Sequence, residues 1–178
     1  MNGFSFDQII CTVAWGIIKA TPEERIIAAA QRWVRENIKS PVKTVIGDVT
    51  VDENTIQNSM SHGFGRDKVD SIPAIKDVLE KGSYLGEEKD FNGATVNNHY
   101  FAGKVDFYGD VKIVFCRVRN STRGDKTKRF YVHEVFTDNE IKKGLPFKTG
   151  SAVNDSRSDG GRPLYLNILQ KFLSVNKI

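Results

Sequence analysis

Cysteine is nearly missing from this 178-residue chain. Cys11 and Cys116 are the only two, each lies in an apolar run, and neither has a second cysteine at metal-ligand spacing. Zinc fingers, C-x-x-C redox centres and disulfide scaffolds are therefore excluded. Two lone thiols fit a reducing compartment, so a cytoplasmic location is expected. Long hydrophobic runs are missing as well. The most apolar stretch, 9–18, falls well short of the ~20 residues that cross a bilayer. It also lacks the basic start of a signal peptide, because Asp7 is the first charge. No membrane association is expected, and 9–18 reads as an amphipathic helix, buried or facing a partner. Neither sign of charge dominates: 26 Lys+Arg against 22 Asp+Glu leave +4. That mild basic bias permits a polyanionic partner without demanding one. No internal repeat recurs at roughly 20–50 residues, which excludes solenoids and propellers.

What is present is a chain with 39% hydrophobic and 27% charged residues, enough to bury a core without staples. Thr21-Pro22-Glu23-Glu24 is a helix start, with a capping threonine, proline at the first helical position and glutamate completing a capping box. Ile26, Ile27, Ala30, Trp33, Val34 and Ile38 then recur at helical spacing, which predicts a helix to about Lys39, ended by Ser40-Pro41. The first forty residues thus read as a helical pair. Residues 43–51 are β-rich and predict a strand or hairpin. Helices are expected over 52–62 and 67–81, with Pro73 in the first true turn of the second and Gly82 ending it.

A strand at 83–88 and a loop at 90–95 lead into three strand-like runs, 98–108, 110–120 and 129–137. Tyr108-Gly109-Asp110 forms the tight turn between the first two. The Ser/Gly/Asp-rich segment 150–162 is expected as a loop, and a terminal helix over 164–173 closes the fold. The predicted architecture is α+β: N-terminal helices, then a curved antiparallel β-meander, then a closing C-terminal helix. Two parts are expected, a helical N-terminal extension over 1–41 and a sheet domain over 42–178.

The residues able to carry chemistry are few. His62 ends a predicted helix, His99 opens the first meander strand beside Tyr100, and His133 lies in the third within Tyr131-Val132-His133-Glu134. Imidazole titrates near neutrality and suits general acid/base work. The three spacings match no metal-ligand motif, and no metal or cofactor is expected. Arg117 and Arg119 alternate with Cys116 and Val118, so both arginines project to one face of the middle strand. Tyr131 and His133 likewise share a face of the next. If these faces coincide, an arginine, a tyrosine and a histidine converge where they could hold a phosphodiester and move its protons. The plainer role is a solvated sheet face with arginine–Glu134 pairing at its edge. Lys126 and Lys128, with Arg123 and Arg129, form a basic connection able to attract nucleic acid.

Several of these segments resemble a known domain: Ser59-Met60-Ser61-His62-Gly63, His99-Tyr100, Val114-Phe115-Cys116-Arg117-Val118, Phe130-Tyr131-Val132-His133-Glu134-Val135, and the closing Ser158-Asp159-Gly160-Gly161-Arg162. The domain is one of the large polyvalent-protein-associated domains of phages and mobile elements, assigned to the barnase–EndoU–colicin–RelE-like nuclease superfamily. The resemblance spans roughly residues 42–173. It implies a metal-independent ribonuclease, or an inactive relative, with His62, Arg117, Tyr131 and His133 in the catalytic site. His99, Tyr100, Arg119, Lys126, Lys128 and Ser158 would contact RNA, although Ser151 and Ser156 compete with Ser158 for the last position.

The expected function is therefore an endoribonuclease acting through the RNA 2′-hydroxyl, as a toxin or phage effector. RNA, with tRNA among the candidates, is the expected partner. An immunity or carrier protein is expected at the N-terminal helices. The alternatives are a non-catalytic nucleic-acid-binding module, in which Tyr100, Phe101 and Tyr131 stack on bases, and a phage structural or packaging accessory protein.

Overall fold

The computed structural model describes residues 8–61, 66–89, 97–122 and 128–139. Among these residues the chain is a mixed α+β fold, a curled half-barrel sheet with helices packed on one face. The strands are β1 (Ile9–Thr12), β2 (Val42–Thr44), β3 (Gly47–Thr50), β4 (Ser83–Lys89), β5 (Asn97–Phe107), β6 (Asp110–Thr122) and β7 (Lys128–Thr137). The helices are α1 (Ile26–Asn37), α2 (Glu53–Ser61), α3 (Arg66–Ser71) and α4 (Ile75–Lys81), with a 3-10 turn at Ile72–Ala74 joining the last two. The closing helix expected over 164–173 lies outside the described residues.

The sheet order is β1-β5-β6-β7-β3-β2, with β4 also on β5. One edge of β5 thus carries two strands in succession, β4 antiparallel against Asn97–Ala102 and β1 parallel against Lys104–Asp106. β5, β6 and β7 form the antiparallel meander expected from their alternation. Tyr108 and Gly109 turn the β5–β6 corner with φ of 52° and 89°. Positive φ at both central residues matches the right-handed twist of the flanking strands. β2 and β3 are a hairpin whose second strand runs parallel to the start of β7.

The N-terminal region corrects one expectation. Residues 9–18 are not a helix: Ile9–Thr12 form β1, and the Val13 N–H donates to the Asp106 carbonyl at 2.8 Å. The run Ile9, Ile10, Thr12, Val13 is β-branched, and such side chains favour a strand when a sheet edge is available to receive it. Gly16 then takes a φ of 62° and turns the chain away. The expected helical pair is therefore a strand followed by a single helix. That helix also starts later than the capping box implies. Glu24 does reach back to the Thr21 N–H, at 3.4 Å, but it also takes two bonds from Arg32, at 2.9 and 3.2 Å. The first regular turn begins at Ile26.

The helical face of the sheet supplies Phe101, Val105, Val114, Cys116, Val118, Val132 and Val135 to one apolar cluster. α1 adds Ala29, Ala30 and Val34, α2 adds Ile56 and Met60, and α4 adds Ile75, Val78 and Leu79. Val13 and Ile18 enter the same cluster, so residues on both sides of position 41 share one core. Pro73, expected in the first true turn of the second helix, lies in the 3-10 turn between α3 and α4, and it lacks the N–H a continuous α-helix would need. Gly82 ends α4 at a close crossing. A Cβ there would lie 2.3 Å from the Val78 carbonyl oxygen and 2.7 Å from that of Ala102.

The N-terminal segment is fastened beyond β1 by Lys112. Its ammonium lies 5.0 Å from the Trp15 ring centre and 5.6 Å from that of Phe107, and it pairs with Asp67 at 3.0 Å and Asp110 at 3.2 Å. No helix among the described residues is long and apolar enough to cross a membrane.

Candidate nucleic-acid site

The second face of the meander is ordered in rows by its register. Ala102, Phe115 and Phe136 form one row, Tyr100, Arg117 and Glu134 the next, and Asn98, Arg119 and Tyr131 the third. Simple alternation does not produce this arrangement. On a regular β7, Tyr131 and His133 would share one face and Val132 and Glu134 the other. Arg117 pairs with Glu134 but Val118 pairs with Val132, so β7 holds one extra residue at this point, a β-bulge at His133. The bulge switches parity. Glu134 stays on the face of Arg117, while Tyr131 arrives on that same face opposite Arg119.

The outcome is a compact group of polar side chains. The Tyr131 and His133 rings lie 6.2 Å apart at 77°, an edge-to-face contact. Arg119 faces Tyr131 and donates from Nε to Asn98 Oδ1 at 3.0 Å. Arg119, Tyr131 and His133 are each half-buried. A guanidinium, a phenol and an imidazole on one sheet face can bind a phosphate, stack on a base and exchange a proton.

Arg117 sits one row away in a different setting. It is 8% exposed, and its guanidinium meets Glu134 Oε2 at 2.6 Å. Glu134 has no exposed surface, and its other oxygen lies 3.4 Å from Lys68 Nζ, itself fully buried. Lys68 donates to the Ser59 carbonyl at 2.9 Å, and Ser59 Oγ accepts the Val135 N–H at 3.0 Å. The charge of Arg117 is thus engaged inside the fold by Glu134; the plainer sequence reading named this pairing but set it at the edge of a solvated face, whereas both residues are buried. Tyr100, between Asn98 and Ala102 on the same face, is 1% exposed, so its ring is packed rather than presented.

His99 is placed elsewhere. It points to the helical face, where its Nδ1 is 3.0 Å from the Tyr84 hydroxyl, its Nε2 is 3.7 Å from Glu87, and its ring meets Phe130 edge-on at 5.3 Å. Burial, followed by the charge of Glu87, holds the Tyr84 phenol above its ordinary pKa. The structure therefore brings Arg117, Arg119, Tyr131 and His133 to one face and sends His99 to the other. His62, Lys126 and Ser158 lie outside the described residues. Lys128 opens β7 opposite Thr122.

Neither cysteine offers a nucleophile. Burial pushes the Cys11 thiol up to about 11, with Asp77 adding to it, and fully buried Cys116 is pushed up further by the same cause. Among the described residues no group of three or more His, Cys, Asp or Glu is placed to hold a metal ion. Asn98, Lys68 and Ser59 carry no signal of their own in the sequence. Lys68 reads as an ordinary helix-surface lysine until α3 is laid against β7.

A family model described as large polyvalent protein-associated domain 3 matches residues 23–131, more than half of the chain. No curated protein and no solved structure matches.

Proposed function

This chain belongs to the large polyvalent protein-associated domain 3 family, a phage- and mobile-element-associated domain, and we propose that it is a metal-independent endoribonuclease working at the Arg119–Tyr131–His133 face. The observation that carries this reading is the bulge in β7, which brings Tyr131, with the His133 ring 6.2 Å from its own, opposite Arg119. Bulges are over-represented next to active sites, where they re-aim a side chain.

In the proposed reaction a general base removes the 2′-hydroxyl proton and the freed oxygen attacks the adjacent phosphorus. A general acid then protonates the departing 5′-oxygen, leaving a 2′,3′-cyclic phosphate. His133 is one of the two proton-transfer groups, and His62 is assigned as the other on the family resemblance. Arg119 stabilises the charge that builds on the phosphorane oxygens. Tyr131 stacks on a neighbouring base or donates its hydroxyl to the phosphate. Arg117, bound to Glu134, flanks this group one row away on the same face.

The test is incubation of the purified full chain with tRNA and with total RNA, each with and without EDTA. The reading expects EDTA-resistant cleavage to cyclic-phosphate ends, slowed ~10²–10⁴-fold by His133→Ala, the usual share of one acid/base group. A His133→Ala protein that cuts RNA at the parental rate refutes it.

A second reading is favoured by the neutralisation of Arg117. With that charge engaged, Arg119 and the Tyr131 ring form a contact pair suited to holding RNA without cutting it. It expects binding that weakens steeply with salt and yields no product.

A further inference from the structure

Two arginines stand in neighbouring rows of the meander face, and the fold holds them with different kinds of partner. Arg117 meets a carboxylate, Glu134 Oε2, at 2.6 Å. Arg119 gives its Nε–H to a neutral amide oxygen, Asn98 Oδ1, at 3.0 Å. Asn98 lies directly opposite Arg119 on β5, as Tyr131 does on β7. One row therefore runs Asn98, Arg119, Tyr131, with the arginine on its middle strand.

Asn98 is 2% exposed. Asparagine is mostly a surface residue, and burying its amide is costly unless hydrogen bonds replace those to water. An apolar side chain would fill the place without that cost. Filling space thus accounts poorly for an amide here, whereas the bond to Arg119 accounts for it. The strand that carries this acceptor is anchored beside it: the Asn97 N–H donates to Asn120 Oδ1 at 2.9 Å, a second asparagine bond between β5 and β6 one position away. The type of acceptor also matters. An amide oxygen orients a guanidinium without bringing a negative charge, whereas a carboxylate orients it and opposes its charge at once.

We infer that Asn98 is a positioning residue: its neutral oxygen orients the Arg119 guanidinium in the row of Tyr131 without setting a negative charge against the RNA phosphate that Arg119 is to meet. The role toward phosphate rests on the proposed nucleic-acid reading of this face, whereas the orientation is a property of the fold and is tested apart from it.

The experiment uses isotope-labelled full-length protein and two substitutions. Asn98→Ala removes the acceptor; Asn98→Asp keeps the shape and the acceptor and adds a charge. Asn98→Ala is expected to move the Arg119 Nε–H signal and speed its exchange with water ~10-fold or more, the share of one such bond. In Asn98→Asp the proton stays protected, and in both variants the amide signals of α4 keep their parental positions. In the RNA arm, Asn98→Ala should lower kcat roughly 100-fold with KM changed less than about twofold, the mark of a misplaced group. Asn98→Asp should instead weaken binding of a 2′-O-methyl RNA oligonucleotide, whose blocked 2′-oxygen cannot attack. The log–log salt slope of that binding should shrink by ~0.7, one phosphate contact on a single strand. A merely structural asparagine expects otherwise: the aspartate, equal in shape and paired with an arginine, would bind as the parent does.

Unchanged Arg119 Nε–H exchange in a folded Asn98→Ala protein overturns the inference. So does an Asn98→Asp protein that binds the oligonucleotide with the parental affinity and salt slope. If neither variant folds, the asparagine supports the whole domain rather than one side chain, and the inference is likewise overturned. If the parent protein neither binds the oligonucleotide nor cuts RNA, the nucleic-acid reading fails, and the Nε–H signal still decides whether Asn98 orients Arg119.

Discussion

Replacing Ser59 by alanine should loosen the seam that joins α2 to the sheet beside the candidate site. Ser59 is fully buried, and its hydroxyl accepts the Val135 N–H at 3.0 Å. Among the described residues, β3 lines the outer edge of β7 only as far as Tyr131. Beyond that point this one side chain does for Val135 what a neighbouring strand would do. Alanine removes the acceptor and leaves a buried N–H without it, at a cost of ~1–3 kcal/mol. The better helix propensity of alanine returns roughly 0.5 kcal/mol within α2. The bond from Lys68 survives, because it goes to the Ser59 carbonyl.

The net expectation is a loss of ~1–2 kcal/mol, against the ~5–15 kcal/mol that ordinarily separates folded from unfolded chains. The variant should therefore fold. Urea unfolding should show a lower midpoint with an unchanged slope. Amide exchange at Val135 should accelerate ~10-fold or more, whereas amides in the middle of β6 should change only as far as the global stability does. Val135 exchange at the parental rate, with an unmoved urea midpoint, would show that the hydroxyl contributes nothing and that α2 is held to β7 by packing alone.

Two further outcomes follow from local geometry. Gly82→Ala should destabilise by about 3 kcal/mol, because the new methyl meets two backbone oxygens that cannot swing aside; a loss under about 0.5 kcal/mol in urea unfolding would refute the crossing described at the end of α4. Asp70→Asn should stabilise the chain at pH 7. Burial, and secondarily Asp67, raise the Asp70 carboxyl above its ordinary 3.8, against the opposing pull of the Gly16 N–H, Arg66 and Lys112. The folded state therefore binds that proton more tightly than the unfolded state does. The stability this supplies is full below the ordinary aspartate range and is lost as pH rises through the raised value. Asparagine carries no such dependence, so the gap between variant and parent should be widest at neutral pH and close toward pH ~4. Equal urea midpoints at pH 7 would refute it.

Local chemistry in the sequence was sufficient for the parts of this fold built from short-range rules. Hydrophobic alternation in β5, β6 and β7 marked the meander within a residue or two, since side chains on one sheet face recur at every second position. Tyr108-Gly109 announced its hairpin and Gly82 the end of the helical stretch, because each frees the backbone at its own position, whereas Pro73, expected in the first true turn of one helix, lies in the 3-10 turn after α3. The grouping of Arg117, Tyr131 and His133 was legible as a condition on which faces coincide.

Tertiary structure alone decided whether that condition held. The bulge at His133 reverses the parity of β7, and nothing in Tyr131-Val132-His133-Glu134 marks an extra residue until β6 is set against it. Ile9–Thr12 became a strand because β5 offered an edge. His99 was sent to the opposite face by the same alternation that keeps Phe101 in the core. Lys68 became a buried ion only when α3 lay across β7. The physical reason is common to all four. Propensity and periodicity act over a few neighbouring residues, whereas an unpaired edge, a shared face or a desolvated charge exists only between segments that meet after the chain has folded.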